Sequence, residues 1–291
     1  MKTRNNYGWF VLFTAPLLFI FTTVVLVPFF IGISYSFFSW DGLPLNPKIF
    51  VGFNNFTRIF RDSRFLSSAG HTVLFTVSSV LVINVLGLLF ALGLTTRLKI
   101  RNAARAMLFA PYMIGGLILG YIWKFILGDA FRAIGEKTGL VSIFFNWLLN
   151  PQSAMMALTV VITWQMAGYI MVVYITGIQS IPEEVLEAAK MDGAGFWASL
   201  LKVKIPLIMP SVTVCLFLSL SNCFKIFDVN LSLTGGGPYS STELFAMNIY
   251  HEIFSLNNYG YGQAKAIIFF AIVAAITLVQ VSVSKKREVE L

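Results

Sequence analysis

SIPEEVLEAAKMDGAGFWASLLKVKIPLIMP, Ser180 to Pro210, is a polar interruption between two long apolar stretches, and its charges, glycines and prolines fall in a definite order. Ser180 and Glu183 stand at capping-box spacing, Pro182 falls in a first turn where a missing N–H costs little, and Glu183 and Glu184 suit the positive end of a helix. The spacing predicts a short helix with Val185, Leu186, Ala188, Ala189 and Met191 as its apolar or small positions. Asp192-Gly193-Ala194-Gly195 then predicts a sharp change of direction before Phe196 to Val203. Pro206 and Pro210 mark the return to apolar sequence.

Working outward, that apolar sequence is too abundant for a soluble core. Hydrophobic residues make up 57% of the 291 and charged residues only 12%, which places the chain in a membrane. Six segments, roughly 9–33, 72–94, 106–127, 154–178, 207–227 and 263–284, are long enough to cross about 30 Å of hydrocarbon. Each is expected to be a helix, because backbone polar groups in lipid must be satisfied within the segment. The expected fold is therefore all-α, a single six-span membrane domain over residues 1–291 with the 180–206 loop between the fourth and fifth helices. Lys2 and Arg4 precede the first segment as in a signal peptide, but its apolar run is too long for one and reads as a retained span.

Orientation follows from the loops. The N-terminus, the 95–105 loop, the 179–206 loop and the C-terminus carry about twelve Lys and Arg, against about six in the three longer loops. The first set is expected inside, with both termini cytoplasmic. The formal net charge of +8 then reflects topology and anionic lipid. No nucleic-acid partner is indicated, since Arg97, Lys99, Arg101 and Arg105 have no interleaved aromatic residues and read as topology anchors.

Signals of enzymatic chemistry are weak. Gly135-Glu136-Lys137-Thr138 lacks the adjacent Gly-Lys and the preceding strand of a phosphate loop. His71 and His251 have no His or Cys at ligand spacing, so no metal site is expected. Cys215 and Cys223 lie about 12 Å apart along one expected helix, too far for a disulfide, and read as buried hydrophobes.

The polar loop carries a family resemblance. Glu187-Ala188-Ala189, three residues, Gly193, nine residues, Val203, one residue and Ile205-Pro206 resemble the EAA loop of binding-protein-dependent ABC importer permeases. Val203 and Ile205 replace the usual Ile and Leu, and Leu200 stands where Phe is common. Outside the loop, Gly52, Asn55-Phe56 and Asp62-Ser63-Arg64-Phe65 are similar to the first external segment of the carbohydrate-uptake branch, the maltose and glycerol-phosphate permease type. Phe224-Lys225-Ile226-Phe227-Asp228, Leu233-Thr234-Gly235-Gly236-Gly237-Pro238 and Thr242 resemble its fifth span and outward loop. The resemblance implies a permease subunit of a sugar importer in a bacterial or archaeal cell (inner) membrane, working by alternating access. Its coupling helix would engage an ATPase through Glu187, Ala188, Ala189, Asp192, Gly193, Ala194 and Pro206. It further implies a second homologous permease, two ATPase subunits and an external solute-binding protein. ATP and Mg would reside on the ATPases, leaving this chain neither catalytic residues nor a cofactor.

Polar residues inside the spans admit two roles. Ser219, Asn222 and Cys223 fall at helical spacing on the fifth segment, and Gln165 and Tyr169 are one turn apart on the fourth. In the resembled family, positions matching Gln165, Tyr169, Ser219 and Cys223 lie near the sugar pathway, and Asn222 neighbours them. The other role is hydrogen bonding between helices. Lys225 and Asp228 are expected one turn apart, paired with each other or touching substrate. The rival function is an ion-coupled carrier or channel without ATPases, which calls for broken helices with mid-membrane acidic residues. No Asp or Glu sits mid-span, and the lack of a mid-span Arg favours a neutral saccharide over a phosphorylated solute.

Overall fold

The computed structural model describes residues 6–96 and 100–286. Lys2, Arg4, Arg97, Lys99 and Arg287, which carry part of the charge reading, lie outside the described residues. The helices in chain order are α1 (Asn6–Phe21), α2 (Val27–Tyr35), α3 (Asn54–Ile59), α4 (Ser63–Leu94) and α5 (Arg101–Phe109). They continue as α6 (Gly116–Phe125), α7 (Phe131–Thr138), α8 (Pro151–Gln179), α9 (Glu183–Met191) and α10 (Phe196–Ser199). The series ends with α11 (Ile205–Leu207), α12 (Met209–Phe224), α13 (Asp228–Leu233), α14 (Phe245–Tyr250) and α15 (Tyr259–Lys285). Four helical stretches are long and apolar enough to span a membrane: Trp9–Tyr35, Ser63–Leu94, Pro151–Gln179 and Tyr259–Lys285. Two bent pairs raise the number to six if each is one span.

One bend falls inside the third expected segment, 106–127, and the other at the start of the fifth, 207–227. Arg101–Met113 and Gly116–Thr138 meet at 98°, and Phe196–Leu207 meets Met209–Phe224 at 74°. In the first break Pro111 supplies no N–H, and Ile114 and Gly115 adopt extended backbone. A carbonyl freed there needs a donor at membrane depth, and Gln165 Nε2 donates to Ile114 O at 3.0 Å. The fifth segment was expected to reach residue 227, but α12 stops at Phe224.

The chain divides into two compact units. One comprises residues 64–248 and 271–291. Its centre is α8, apolar on all sides, with Leu158, Val161, Ile170 and Met171 fully buried among Phe75 and Ile83 of α4 and Cys215 and Cys223 of α12. Small residues allow the closest crossings: a Cβ on Gly120 would lie 1.9 Å from Ser232 Oγ of α13, and one on Gly168 would lie 1.8 Å from Leu108 O. Both cysteines are free and buried.

The other unit comprises residues 1–63 and 249–270. Here the all-α expectation is relieved by a two-residue antiparallel pairing, β1 (Phe38–Ser39) with β2 (Ile49–Phe50). Asn55 pins it, its amide donating to Ser36 O at 2.8 Å and Phe38 O at 3.0 Å. The same unit buries a lysine: Lys265 Nζ lies 2.6 Å from Glu252 and 2.8 Å from Asp62, with Tyr261 donating to Asp62 and Asn258 to Glu252. The apolar faces of α1 and α2 are exposed in the isolated chain, which suits lipid rather than water as surroundings.

Candidate functional site

The polar loop folds as a short amphipathic helix and a turn, though its N-terminus is built differently from expectation. Ser180 and Glu183 form no capping box. Ser180 closes α8, its hydroxyl donating back to Gly177 O at 2.8 Å, and Pro182 is itself the N-cap residue, one position before the first turn. The reason is length: α8 runs to Gln179, so Ser180 is already committed to the preceding helix. Glu183 and Glu184 still occupy the first turn of α9 and Lys190 the last, matching the helix dipole.

At the other end of α9 the turn forms as the glycines require. Gly193 has φ +75°, and Ala194 N donates to Ala189 O at 3.0 Å while Gly193 N donates to Lys190 O at 3.0 Å, closing the orphan carbonyls. Gly195 is extended and caps the start of α10. One side of α9 turns inward, with Leu186 against the core cluster. The other presents Glu187, Ala188, Asp192 and Gly193 to the exterior, while Ala189, Ala194 and Pro206 are half-buried. Exposed Met191, Phe196, Trp197 and Leu201 add apolar area beside them, with Met191 88% exposed. Large apolar side chains flanking a charged helix leave an exposed apolar patch on this face.

Within the same unit, the end of α12 and the start of α13 border a cavity of about 270 Å³. Gln165, Asn222, Lys225 and Asp228 supply its polar wall, and Ile162, Met166 and Ile226 its apolar one. Lys225 and Asp228 do not pair, which corrects the first of the two expectations for them. Because α12 ends at Phe224 and Phe227 adopts φ −133°, the two are not one turn apart on a continuous helix, and no ion pair within 4.0 Å joins them among the described residues. Amide, ammonium and carboxylate groups on one wall offer both donors and acceptors, as a polyol needs.

The other expected pathway residues lie off this cavity. Ser219 is fully buried and takes a hydrogen bond from Asn84 Nδ2 at 2.9 Å while donating to Cys215 O at 2.7 Å. Cys223 is fully buried in the core. Tyr169 is half-buried and stacks on Tyr112, ring centroids 4.3 Å apart and planes within 6°. Asn84 was not singled out from the sequence, although a lone amide inside LVINVLGLL carried the signal. It ties three helices together, since its Oδ1 also accepts from Tyr174 at 3.0 Å.

Gly135-Glu136-Lys137-Thr138 closes α7 and is no phosphate loop: a Cβ at Gly135 would sit 1.9 Å from Phe144 O, so the glycine serves packing. Among the described residues no group of three His, Cys, Asp or Glu stands ready to hold a metal.

Comparison with known proteins adds ancestry to this geometry. Residues 83–289 match the family model described as binding-protein-dependent transport system inner membrane component. The chain is 44% identical over 290 residues to the probable starch degradation products transport system permease protein AmyD of Thermoanaerobacterium thermosulfurigenes, covering 100% of this chain and 98% of that one. It is 32% identical over 288 residues to the multiple sugar-binding transport system permease protein MsmF of Streptococcus mutans, covering 99% of each. In fold it resembles a chain of a bacterial ABC transporter involved in the import of the acidic polysaccharide alginate, with a TM-score of 0.81 at 20% identity over 97% of this chain and 96% of that one.

Proposed function

Because the chain belongs to the family of binding-protein-dependent transport system inner membrane components, we propose that it forms half of the translocation pathway of an ATP-driven sugar importer. The observation that carries this reading is the outward face of α9 and its turn, where Glu187, Ala188, Asp192 and Gly193 are exposed beside Met191, Phe196 and Trp197. In the proposal that face seats in a groove on a cytoplasmic ATPase, one of a pair that binds ATP and Mg. A second homologous permease completes the pathway, and an external solute-binding protein delivers the sugar. Sugar as the cargo class is supported by the relatives, whose descriptions name starch degradation products and multiple sugars. Localisation in a cell inner membrane with both termini cytoplasmic belongs to the same proposal.

Alternating access follows from the lever. Closing of the ATPase dimer displaces α9, and the Gly193 turn passes the displacement to α10 and on through the 74° bend into α12, whose end borders the polar cavity. A helix pair that meets at a fixed bend transmits a rigid movement where a flexible loop would absorb it. The ion-coupled carrier remains the rival. The broken helices it calls for are present, and Asp228 packs against Gly116 at the first bend, yet such a carrier leaves the exposed apolar side chains around α9 without a purpose.

Gly193→Asp tests the proposal. A branched residue at φ +75° strains the turn and puts a charge on the docking face, while the space around Gly193 is open, so the fold itself survives. Uptake is expected to fall at least tenfold with membrane insertion unchanged. Parental uptake with normal ATPase co-purification would overturn the coupling role.

A further inference from the structure

The unit built from residues 1–63 and 249–270 holds a second polar cavity, of about 310 Å³, that the transport reading does not use. It is walled by Asp41 and Asn46 from the loop between β1 and β2, Arg58 from α3, and Asn257, Asn258 and Tyr261 at the start of α15. We propose that this cavity is a binding site for a neutral saccharide on the external side of the membrane. The external placement rests on the orientation proposed above, which puts the loop after α2 and the start of α15 outside.

The chemistry of the wall carries the proposal. The Arg58 guanidinium carbon lies over the Tyr261 ring, 4.2 Å from its centroid, and among the described residues no hydrogen bond or ion pair engages its N–H groups. A cation held over a ring with no hydrogen bond spent keeps its N–H donors for a ligand. In the loop between β1 and β2 the Leu43 N–H and the Asn46 amide both donate to Asp41, and they hold its carboxyl below the usual range. The carboxylate therefore stays ionised, with acceptor capacity to spare. Asn257 adds an exposed amide, held at φ +53°. Sugar hydroxyls both donate and accept, so a wall of carboxylate, guanidinium and amides suits them better than it suits a purely anionic or cationic ligand.

The floor is also rigid. Tyr261 and Asn258 spend their polar atoms on Asp62, at 2.9 Å, and Glu252, at 2.8 Å, and both carboxylates are locked by buried Lys265. A site whose supporting side chains are fixed by a buried ion network loses little freedom on binding. The volume falls at the small end of small-molecule sites, about 300–1,000 Å³, which fits the end of a glycan rather than a whole oligosaccharide.

Equilibrium binding of maltotriose to the full chain in lipid nanodiscs, without binding protein or ATP, tests the site. Saturable binding is expected, weakened at least tenfold by Arg58→Gln and by Asn257→Ala and unchanged by Arg132→Gln, which alters an exposed surface pair outside either cavity. No saturable binding overturns the proposal, as does binding lost in Asn222→Ala but kept in Arg58→Gln. Should Arg58→Gln abolish binding-protein docking and leave maltotriose binding intact, the cavity is a docking receptacle and the saccharide site is refuted. A cysteine at Asn46 probed from outside intact cells separates the two readings: lack of labelling removes the orientation, and labelling with no sugar binding removes the site alone.

Discussion

Lys265 shows how much a single residue can carry without announcing itself in the sequence. Its side chain is 0% exposed between Asp62 and Glu252, and replacing it with Met would leave two facing carboxylates with no cation. Breaking a buried pair in this way costs about 3–5 kcal/mol, so Lys265→Met is expected to lower the unfolding temperature of the purified protein markedly, with partial recovery on adding Glu252→Gln. An unchanged melting profile would show that the network contributes nothing. Ser219 makes a quieter case. Its bonds to Asn84 and Cys215 are those of a fastener between helices, and Ser219→Ala should cost about 1 kcal/mol of stability while leaving uptake near the parental rate. Loss of uptake at unchanged stability would return Ser219 to the pathway. The pairing of Lys265 was not legible because its partners lie 13 and about 200 positions away, and no local spacing joins them.

Among the elements, α9 was the most legible. Its charges, its small residues and Gly193 are local signals, and the helix and its turn formed where those signals placed them. The cap was missed because it depends on where the preceding helix stops, and the break at Ile114–Gly115 was missed because an apolar run with glycines reads equally as a straight span. What makes the break affordable is Gln165 on another helix, a partner 51 residues away. The elements also define a test of topology. Cysteine at Met191, 88% exposed beside the α9 turn, should resist a membrane-impermeant thiol reagent added to intact cells, whereas cysteine at exposed Ser240 should react. Buried Cys215 and Cys223 should stay silent in both. The opposite pattern would place α9 outside and remove its access to an ATPase.

For the whole molecule, the prediction concerns the path of the cargo. If the α12–α13 cavity carries sugar, Asn222→Ala should depress uptake by reconstituted complexes about tenfold, with melting temperature and basal ATP hydrolysis retained, since Asn222 faces the cavity and its side chain is exposed there. Normal uptake would sink that assignment and leave family membership untouched. The membrane class, the helical content and the amphipathic α9 were determined by the sequence alone, because apolar length and glycine placement act over a few residues or over the average of many. Tertiary structure alone decided that Lys225 and Asp228 part company, that Asn222 and Gln165 share a cavity while Ser219 and Cys223 do not, and that Lys265 finds two carboxylates. Those outcomes turn on where helices break and cross, and the energy of a break or a crossing is set by the partner that meets it, which no single stretch of chain contains.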